Sequence, residues 1–340
     1  MIRDLQKKIH NTEPFRTLKH SVRDLTNHDA LAVSGLSGSL MAFAAASVYD
    51  DRERQIVVIV PEEEQAEQLR DDCAILLGDD KVRLAVYGGS HHAELLDVST
   101  SIAMMETLQS LLHATPCMVI ASAEGIACRL PSPESIRGKS IQLESGKDFP
   151  FEELLAKLRE LGFEQKEFVE GYGDVAVRGG IVDVFPFVGE YPLRLEFWGD
   201  SIESIREFDV LSQRSIRPRQ RVHIVPGFSD DAGSNSSLLD HLRDDAILIV
   251  DKLPLLQKEV EELGRLGNNL FGWGELEDRI QRFTRIDHRL FESSAERSAI
   301  LFSSTPHPSL NGNIRLLVQR IRELNVKGME VVIACDTKEE

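Results

Sequence analysis

A glycine-containing stretch near the start of the chain has the position and part of the composition of a phosphate-binding loop. Residues 35–42, GLSGSLMA, follow an apolar run and precede a helix-like segment. A working loop, G-x-x-x-x-G-K-[ST], needs glycines that admit phosphates to backbone N–H groups, a lysine that neutralises their charge and a hydroxyl that holds Mg²⁺. Gly35, Gly38 and Ser39 are present, but Met41 replaces the lysine, between a leucine and an alanine. The stretch indicates a nucleotide site without its reactive groups, although an ordinary strand–turn–helix junction would explain the same glycines.

A second candidate for nucleotide chemistry is the run ILIVDKLPLL at residues 247–256. In nucleotide hydrolases, such a strand ends in an aspartate that holds magnesium and a glutamate that orients water. Asp251 takes the first position, but Lys252 puts a positive charge in the second. Asp251 could equally be the cap of the helix that follows. Both motifs keep their backbone pattern and lack their chemistry, so we expect no ATP hydrolysis, catalytic residue, cofactor or metal in this chain.

Arginine and tryptophan side chains on short strands are the other candidates for a functional site. In LRLEFWGD (193–200), apolar residues alternate with Arg194, Glu196 and Trp198, so these three should share the face that is not buried. Arg178 precedes a Gly-Gly step and is out of phase with the valines before it. Exposed tryptophan and arginine are enriched at binding hot spots. The pattern predicts a binding surface; packing of Trp198 on a helix of the same domain is the alternative.

Five further arginines lie close together and raise the possibility of nucleic-acid binding. Arginine binds phosphate well, but the net charge of −17 opposes adhesion to nucleic acid or anionic lipid. Because acidic residues lie nearby, internal ion pairs or a solvated surface are the favoured interpretation. These residues are Arg206, Arg214, Arg217, Arg219 and Arg221.

Composition and charge pattern also bear on the cellular compartment. The four cysteines form no C-x-x-C pair, which argues against a zinc site or a disulfide framework and favours buried thiols in a reducing compartment. No apolar run approaches the roughly 18 residues of a membrane helix. The N-terminal residues are charged where a signal peptide is apolar. We therefore expect a cytoplasmic protein with no membrane partner.

Apolar periodicity predicts an α/β domain interrupted by a smaller α+β domain. Strands and helices alternate along residues 1–136, which indicates a parallel sheet with both faces covered. Residues 137–226 are turn-rich with period-2 segments, and the α/β alternation returns over 227–340. We expect a last strand in MEVVIACD (329–336) and, since no helix follows it, a chain that is a piece of a longer protein.

The run VAVRGGIVDVFPFVGEYPLRLEFWGDSIESIREFDVLSQRS resembles a module shared by UvrB proteins and transcription-repair coupling factors. In both families, VRGG-[IV]-[IVL]-D-[IVL]-FP is followed by R-[IVL]-[ED]-F-[FW]-x-D. The resemblance is strong over residues 171–216 and loose elsewhere. The two incomplete nucleotide motifs and the four scattered tyrosines make the chain more similar to the N-terminal, UvrB-like region of the coupling factors than to UvrB.

This resemblance implies a degenerate, helicase-like parallel-sheet domain of the P-loop NTPase type, interrupted by a smaller α+β UvrB-homology domain. It implies that Arg178, Arg194 and Trp198 bind UvrA, and that the chain recruits UvrA to stalled RNA polymerase in transcription-coupled nucleotide excision repair. Regions beyond this chain would bind RNA polymerase and duplex DNA and act as an ATP-dependent translocase. The alternative is an ATP- and DNA-binding helicase-type ATPase of the UvrB kind.

One segment departs from the pattern of the family. Residues 88–100, GGSHHAELLDVST, lack the aromatic, proline-containing stretch of other members, so their local structure is left open. We expect His91 and His92 to be surface residues rather than metal ligands.

Overall fold

The structure is a computed structural model in which two units are compact, residues 1–303 and residues 304–340. Each unit is described by itself. The described residues are 2–26, 28–49, 54–85, 98–112, 116–226, 235–266, 270–289, 299–304 and 313–332.

Strands and α-helices are assigned over the described residues with the following bounds. The strands are β1 (Ala30–Ser34), β2 (Ile56–Val60), β3 (Val82–Ala85), β4 (Met118–Ser122), β5 (Ile141–Glu144), β6 (Glu164–Gln165), β7 (Asp174–Arg178), β8 (Ile181–Val184), β9 (Leu193–Trp198), β10 (Ser201–Phe208), β11 (Ser215–Pro218), β12 (Arg221–Ile224), β13 (Ile247–Asp251), β14 (Thr284–Arg289) and β15 (Ile300–Leu301). The α-helices are α1 (Ile2–His10), α2 (Glu13–Asp24), α3 (Leu40–Tyr49), α4 (Glu63–Leu77), α5 (Val98–Leu112), α6 (Ala123–Ala127), α7 (Pro133–Lys139), α8 (Phe151–Glu160), α9 (Leu253–Leu266), α10 (Trp273–Ile280) and α11 (Ile314–Val326).

A seven-stranded parallel sheet, in the order β15-β1-β14-β13-β2-β4-β3, is the larger of the two main sheets. Its central strands β2, β4 and β13 are buried along their whole length, as their continuous apolar runs predict. Val57 and Ile59 of β2 face a core shared with α5, α6 and α9, whereas Ile56 and Val58 face a second core shared with α2, α3 and α4. The predicted α/β class is confirmed, and the arrangement is compatible with a helicase-like fold.

The second main sheet lies, in sequence, between β4 and β13. Its six strands have the order β11-β10-β9-β8-β7-β6, and all neighbours from β7 to β11 pair antiparallel. One face, which we call the inner face, packs on Leu154 and Leu158 of α8 through a separate core that includes Val182 and Leu195. The opposite side of this sheet is called the outer face.

The Gly-Gly step that follows Arg178 makes the tight turn between β7 and β8. Gly179 has a positive φ of 58°, which glycine adopts without a steric penalty. A Cβ on Gly180 would lie 2.6 Å from the carbonyl oxygen of Phe197 on β9. The Phe197 N–H donates to the Gly180 carbonyl oxygen at 2.7 Å. The two glycines therefore let the turn approach β9 closely.

The structure corrects two expectations. Strand β14, in the middle of the large sheet, was not predicted, because its sequence TRIDHR has no apolar run. The strand expected over 329–336 is wrong where the chain is described, since residues 329–332 are not assigned to a strand and follow helix α11 and a turn. In the smaller unit, α11 has no buried residue and exposes Ile314 and Val326.

Some of the expectations concern residues that the structure does not describe. His91, His92 and most of 88–100 lie outside the described residues, as does the end of the expected last strand, 333–336. Among the described residues, no helix is both long and apolar enough to span a membrane.

Candidate functional site

The glycine stretch forms the turn between β1 and α3, as predicted. Gly35 has φ 79°, and a Cβ there would lie 1.9 Å from the carbonyl oxygen of Phe302. Gly38, with φ 59°, leads into the helix, and its carbonyl oxygen accepts a hydrogen bond from the Met41 N–H in the first helical turn (3.3 Å). Close backbone packing and positive φ values therefore account for both glycines without a phosphate ligand.

A buried hydrogen-bond chain joins this turn to the end of β13. The Leu36 N–H donates to His288 Nε2 at 3.2 Å, and His288 Nδ1 lies 2.5 Å from Asp251 Oδ1. Because a backbone N–H can only donate, Nε2 is the acceptor and Nδ1 carries the ring proton that Asp251 accepts. His288 comes from β14, so the unpredicted strand supplies the group that connects the two predicted motifs.

The other carboxylate oxygen of Asp251 is held by the next residue. Lys252, at a positive φ of 51°, places Nζ 2.7 Å from Asp251 Oδ2. Burial alone would raise the pKa of the Asp251 carboxyl, but hydrogen bonds from His288 and Lys252 outweigh it and hold this pKa below its usual value of 3.8. Both oxygens of the candidate magnesium ligand are thus engaged by the protein's own groups.

Most residues of the predicted degenerate nucleotide site lie around one cleft at the carboxyl edge of the large sheet. The cleft has a volume of about 320 Å³ and is lined by Gly38, Ser39, Met41, Asp251 and Lys252, among others, whereas Gly35 is not part of its lining. Among the described residues, no group of three or more His, Cys, Asp or Glu side chains is arranged to hold a metal.

Acidic side chains lie at the same edge of the sheet. Glu124 follows β4, and Glu63 begins α4 after β2. Burial, with a further contribution from the neighbouring Glu63 carboxylate, raises the pKa of Glu124 to about 7. Burial and the Glu67 carboxylate likewise raise the pKa of Glu63. Glu124 is therefore only partly ionised near neutral pH, and neither carboxyl lines the cleft.

The outer face of the six-stranded sheet carries the predicted arginine and tryptophan row. Along β9, Leu193, Leu195 and Phe197 are buried, while Arg194 and Glu196 are half-buried on the other side. Trp198, next in this row, is 78% exposed, so the alternative in which it packs on a helix is wrong. The period-2 pattern therefore assigned the two faces correctly.

Arg194 is held by its neighbours rather than free in solvent. Its Nε and Nη2 donate to the two carboxylate oxygens of Asp183 at 2.7 and 2.8 Å, and Nη2 also donates to Gln213 at 2.8 Å. The guanidinium lies over the ring of Phe208, 4.4 Å from its centroid. Arg194 thus has an ordered position at the surface, with part of its bonding capacity used inside the domain.

Arg178 shares the same carboxylate but stays more accessible. Its Nη2 lies 3.7 Å from Asp183 Oδ2, and its guanidinium lies 4.5 Å from the centroid of Phe168. Its side chain is 47% exposed. Within the described part of the chain, Arg178 has this ion pair and ring contact but no side-chain hydrogen bond, so its N–H groups point toward solvent with capacity to donate.

Four of the five clustered arginines between 206 and 221 form ion pairs with acidic side chains of the same domain, as the sequence favoured. Arg206 pairs with Glu196, Arg217 and Arg219 with Glu207, and Arg221 with Glu144. Their charge is largely balanced locally. No continuous basic surface of the kind that nucleic acid requires results from these four residues.

The matches to known proteins agree with this surface. Residues 141–228 match the sequence profile of the UvrB interaction domain family. This segment is similar to that family of domains. Every residue of the Arg178–Arg194–Trp198 row lies within it.

The chain is also similar to curated proteins named transcription-repair-coupling factor. It is 26% identical to that of Bacillus subtilis over 225 residues, 66% of this chain and 19% of the relative. It is 28% identical to that of Staphylococcus haemolyticus over 237 residues (69% and 20%), and 29% identical to that of Myxococcus xanthus over 221 residues (62% and 18%). The predicted resemblance to the coupling factors is confirmed, and the chain spans about a fifth of the length of these relatives.

Sequence reasoning missed two residues that organise these sites. His288 lies in a polar strand with no recognisable motif, so only the pairing of β14 between β1 and β13 reveals its role. Asp183 belongs to the VRGGIVDVFP run, within the segment that matches the UvrB interaction domain family, and is 3% exposed. Asp183 could have been found from the sequence as a charged residue within an apolar strand, because a buried carboxylate needs a partner.

We predict that His288→Ala lowers the free energy of unfolding by about 2–3 kcal/mol, since Asp251 loses a hydrogen bond while buried and a cavity remains. Urea unfolding measures the change. His20→Ala is the matched control, because His20 is exposed on α2 and should change stability by less than about 0.5 kcal/mol. Equal stability of the two variants would contradict the role of His288.

We predict that Glu124→Gln stabilises the protein at pH 8 but not near pH 4.5. The folded-state pKa of about 7 lies above the usual 4.5, so ionising this buried carboxyl costs stability as the pH rises through that window. Because the side chain is partly solvated, we expect about 1 kcal/mol rather than the full shift. Thermal unfolding from pH 4.5 to 8 tests this, with the exposed Glu203→Gln as control. The same pH dependence in both variants would refute it.

Proposed function

We propose that this chain is the non-catalytic interaction region of a transcription-repair coupling factor and that it binds UvrA through the outer face of its UvrB interaction domain. The observation that carries the proposal is the exposed Trp198 in a row with ordered arginines. The chain would recruit UvrA to stalled RNA polymerase in transcription-coupled nucleotide excision repair. Polymerase and duplex DNA would be bound by regions of the protein beyond these residues.

The chemistry of the outer face supports a protein partner. Trp198 presents a large, rigid apolar surface that water covers in the isolated chain, and tryptophan and arginine dominate interface hot spots. Arg178 has donors available for carboxylates, and charge-assisted bonds of this kind are about twice as strong as neutral ones. Ile181, also exposed, pairs directly with Arg178 across the turn and extends the apolar area.

We propose the domain boundaries 1–136, 137–226 and 227–340, with the middle segment as the inserted UvrA-binding domain. The family match over 141–228 supports this division. The core beneath the six-stranded sheet is separate from the two cores of the large sheet, which also supports it. The flanking segments would then form one degenerate helicase-like domain.

We propose that the chain is not catalytic, and the residues that line the cleft support this. Met41 offers no charge where a phosphate would need a lysine, and both oxygens of Asp251 are engaged by His288 and Lys252. Phosphoryl transfer depends on positioned cations and donors.

We predict that Trp198→Ala weakens UvrA binding by about 30-fold or more, because an anchoring tryptophan typically contributes about 2 kcal/mol or more. Titration calorimetry with purified UvrA measures the affinity. Ile75→Ala on α4, another exposed large apolar residue, is the matched control and should bind as the wild type does. Arg194→Ala is a less specific test, because it also leaves Asp183 buried without its bidentate partner. Unchanged affinity of Trp198→Ala would contradict the proposal.

The alternative function is an ATP- and DNA-binding ATPase of the UvrB kind, which would use the cleft. Its lining still contains a glycine turn before a helix, at Gly38, the hydroxyl of Ser39 and the cation Lys252, and the N-terminus of a helix favours anions such as phosphate. We predict no saturable heat on titration with Mg·ATP up to about 1 mM, with UvrA titration of the same sample as the control for an active preparation. Micromolar affinity for Mg·ATP would favour the alternative.

A further inference from the structure

One buried carboxylate lies directly beneath the proposed docking row. Asp183 projects from β8 to the outer face, opposite Arg194 on β9 and Ala176 on β7. With 3% of its surface exposed, it cannot contact a partner protein. It nevertheless contacts both arginines of the row, so any influence on binding must act through them.

Both arginines contact this carboxylate and an aromatic ring, although Arg194 is held more closely than Arg178. Arg194 makes a bidentate pair with Asp183 and lies over Phe208, whereas Arg178 makes a looser ion pair at 3.7 Å and lies over Phe168. Each guanidinium is therefore fixed by one ring and by one shared acid. Two positive charges share a single negative charge, which leaves the pair with an excess positive charge at the surface.

We propose that Asp183 is a positioning residue that holds the guanidinium groups of Arg178 and Arg194 in a preorganised arrangement, in which their remaining N–H donors bind carboxylates on UvrA. This inference rests on the proposed function. Long arginine side chains lose rotamer freedom when they bind, and a side chain already fixed in its bound geometry avoids that cost. Planar forks also match carboxylate geometry in a way that a mobile charge does not.

The same sheet contains a second buried carboxylate, Glu207, which serves as a comparison for a purely structural role of Asp183. Glu207 on β10 is 6% exposed and accepts hydrogen bonds from Arg217 at 2.5 Å and from Arg219 at 2.6 Å. This pairing matches that of Asp183 in burial and in the number of arginines. However, Arg217 belongs to the edge strand β11 and Arg219 follows it, whereas Trp198 lies on β9. Loss of the Glu207 charge should therefore affect folding alone.

The experiment compares Asp183→Asn with Glu207→Gln in titrations of the whole chain with purified UvrA, after thermal unfolding has verified that each variant is folded. We expect Asp183→Asn to weaken binding about tenfold or more and Glu207→Gln to bind as the wild type does. A loss of affinity of the same size in both variants, or in neither, would overturn the inference.

A double-mutant cycle separates positioning from a general effect on the fold. If Asp183 acts through the arginines, Asp183→Asn should weaken binding much less in an Arg178→Ala, Arg194→Ala background than in the wild type. Full additivity would overturn the inference. Arg194→Lys covers the case in which Asp183→Asn does not fold: it keeps the charge but loses the bidentate pair, and wild-type affinity of this variant would also overturn it.

The outcomes distinguish this inference from the function on which it rests. Absence of binding by the folded wild-type chain would contradict the proposed function itself. Binding that is lost in Trp198→Ala but retained in both Asp183→Asn and Arg194→Lys would leave that function in place and reject the positioning role alone.

Discussion

The burial of Leu193, Leu195 and Phe197 on one side of β9 is the constraint on which the proposed docking surface depends. Successive side chains of a strand point to opposite faces, so the inner core places Arg194 and Trp198 on the outer face. The same alternation in β8 places Asp183 on that face. Since a buried carboxylate needs partners, the arginines are drawn into fixed positions. Packing of the inner core thus sets the arrangement of the side chains on the outer face.

The large sheet meets the same requirement for a buried carboxylate in a different way. Both of its faces are covered by helices, so chemistry has room only at the carboxyl edge, where open α/β sheets bind their ligands. There Asp251 accepts hydrogen bonds from His288 and Lys252 of the same domain. Asp183 pairs with arginines that remain partly exposed, whereas both oxygens of Asp251 are engaged at the base of the cleft. This difference is why we assign function to the outer face.

The sequence was sufficient to predict the features that follow from local pattern. Continuous apolar runs predicted β2, β4 and β13, and strict alternation predicted the outward direction of Trp198. Strand β14 was beyond this reasoning because its polar residues are satisfied only by distant partners: Thr284 bonds the Thr26 carbonyl, and His288 bonds Asp251. The role of Asp183 likewise depends on strand register, and that of Phe168 on the position of a loop. Neither can be predicted from a local pattern in a single sequence. The family resemblance pointed to the outer face as the binding surface, but not to the contacts that hold its arginines.

Amide hydrogen exchange of this chain, measured alone, with UvrA and with Mg·ATP, tests the central claim most directly, because it compares the outer face and the cleft in one sample. The account predicts that UvrA slows exchange at 178–181 and 194–201, around the two turns that flank the docking row. It predicts no change at 35–41 or 251–252 with either ligand. Protection confined to 35–41 and 251–252, with exchange on the outer face unchanged by UvrA, would contradict it.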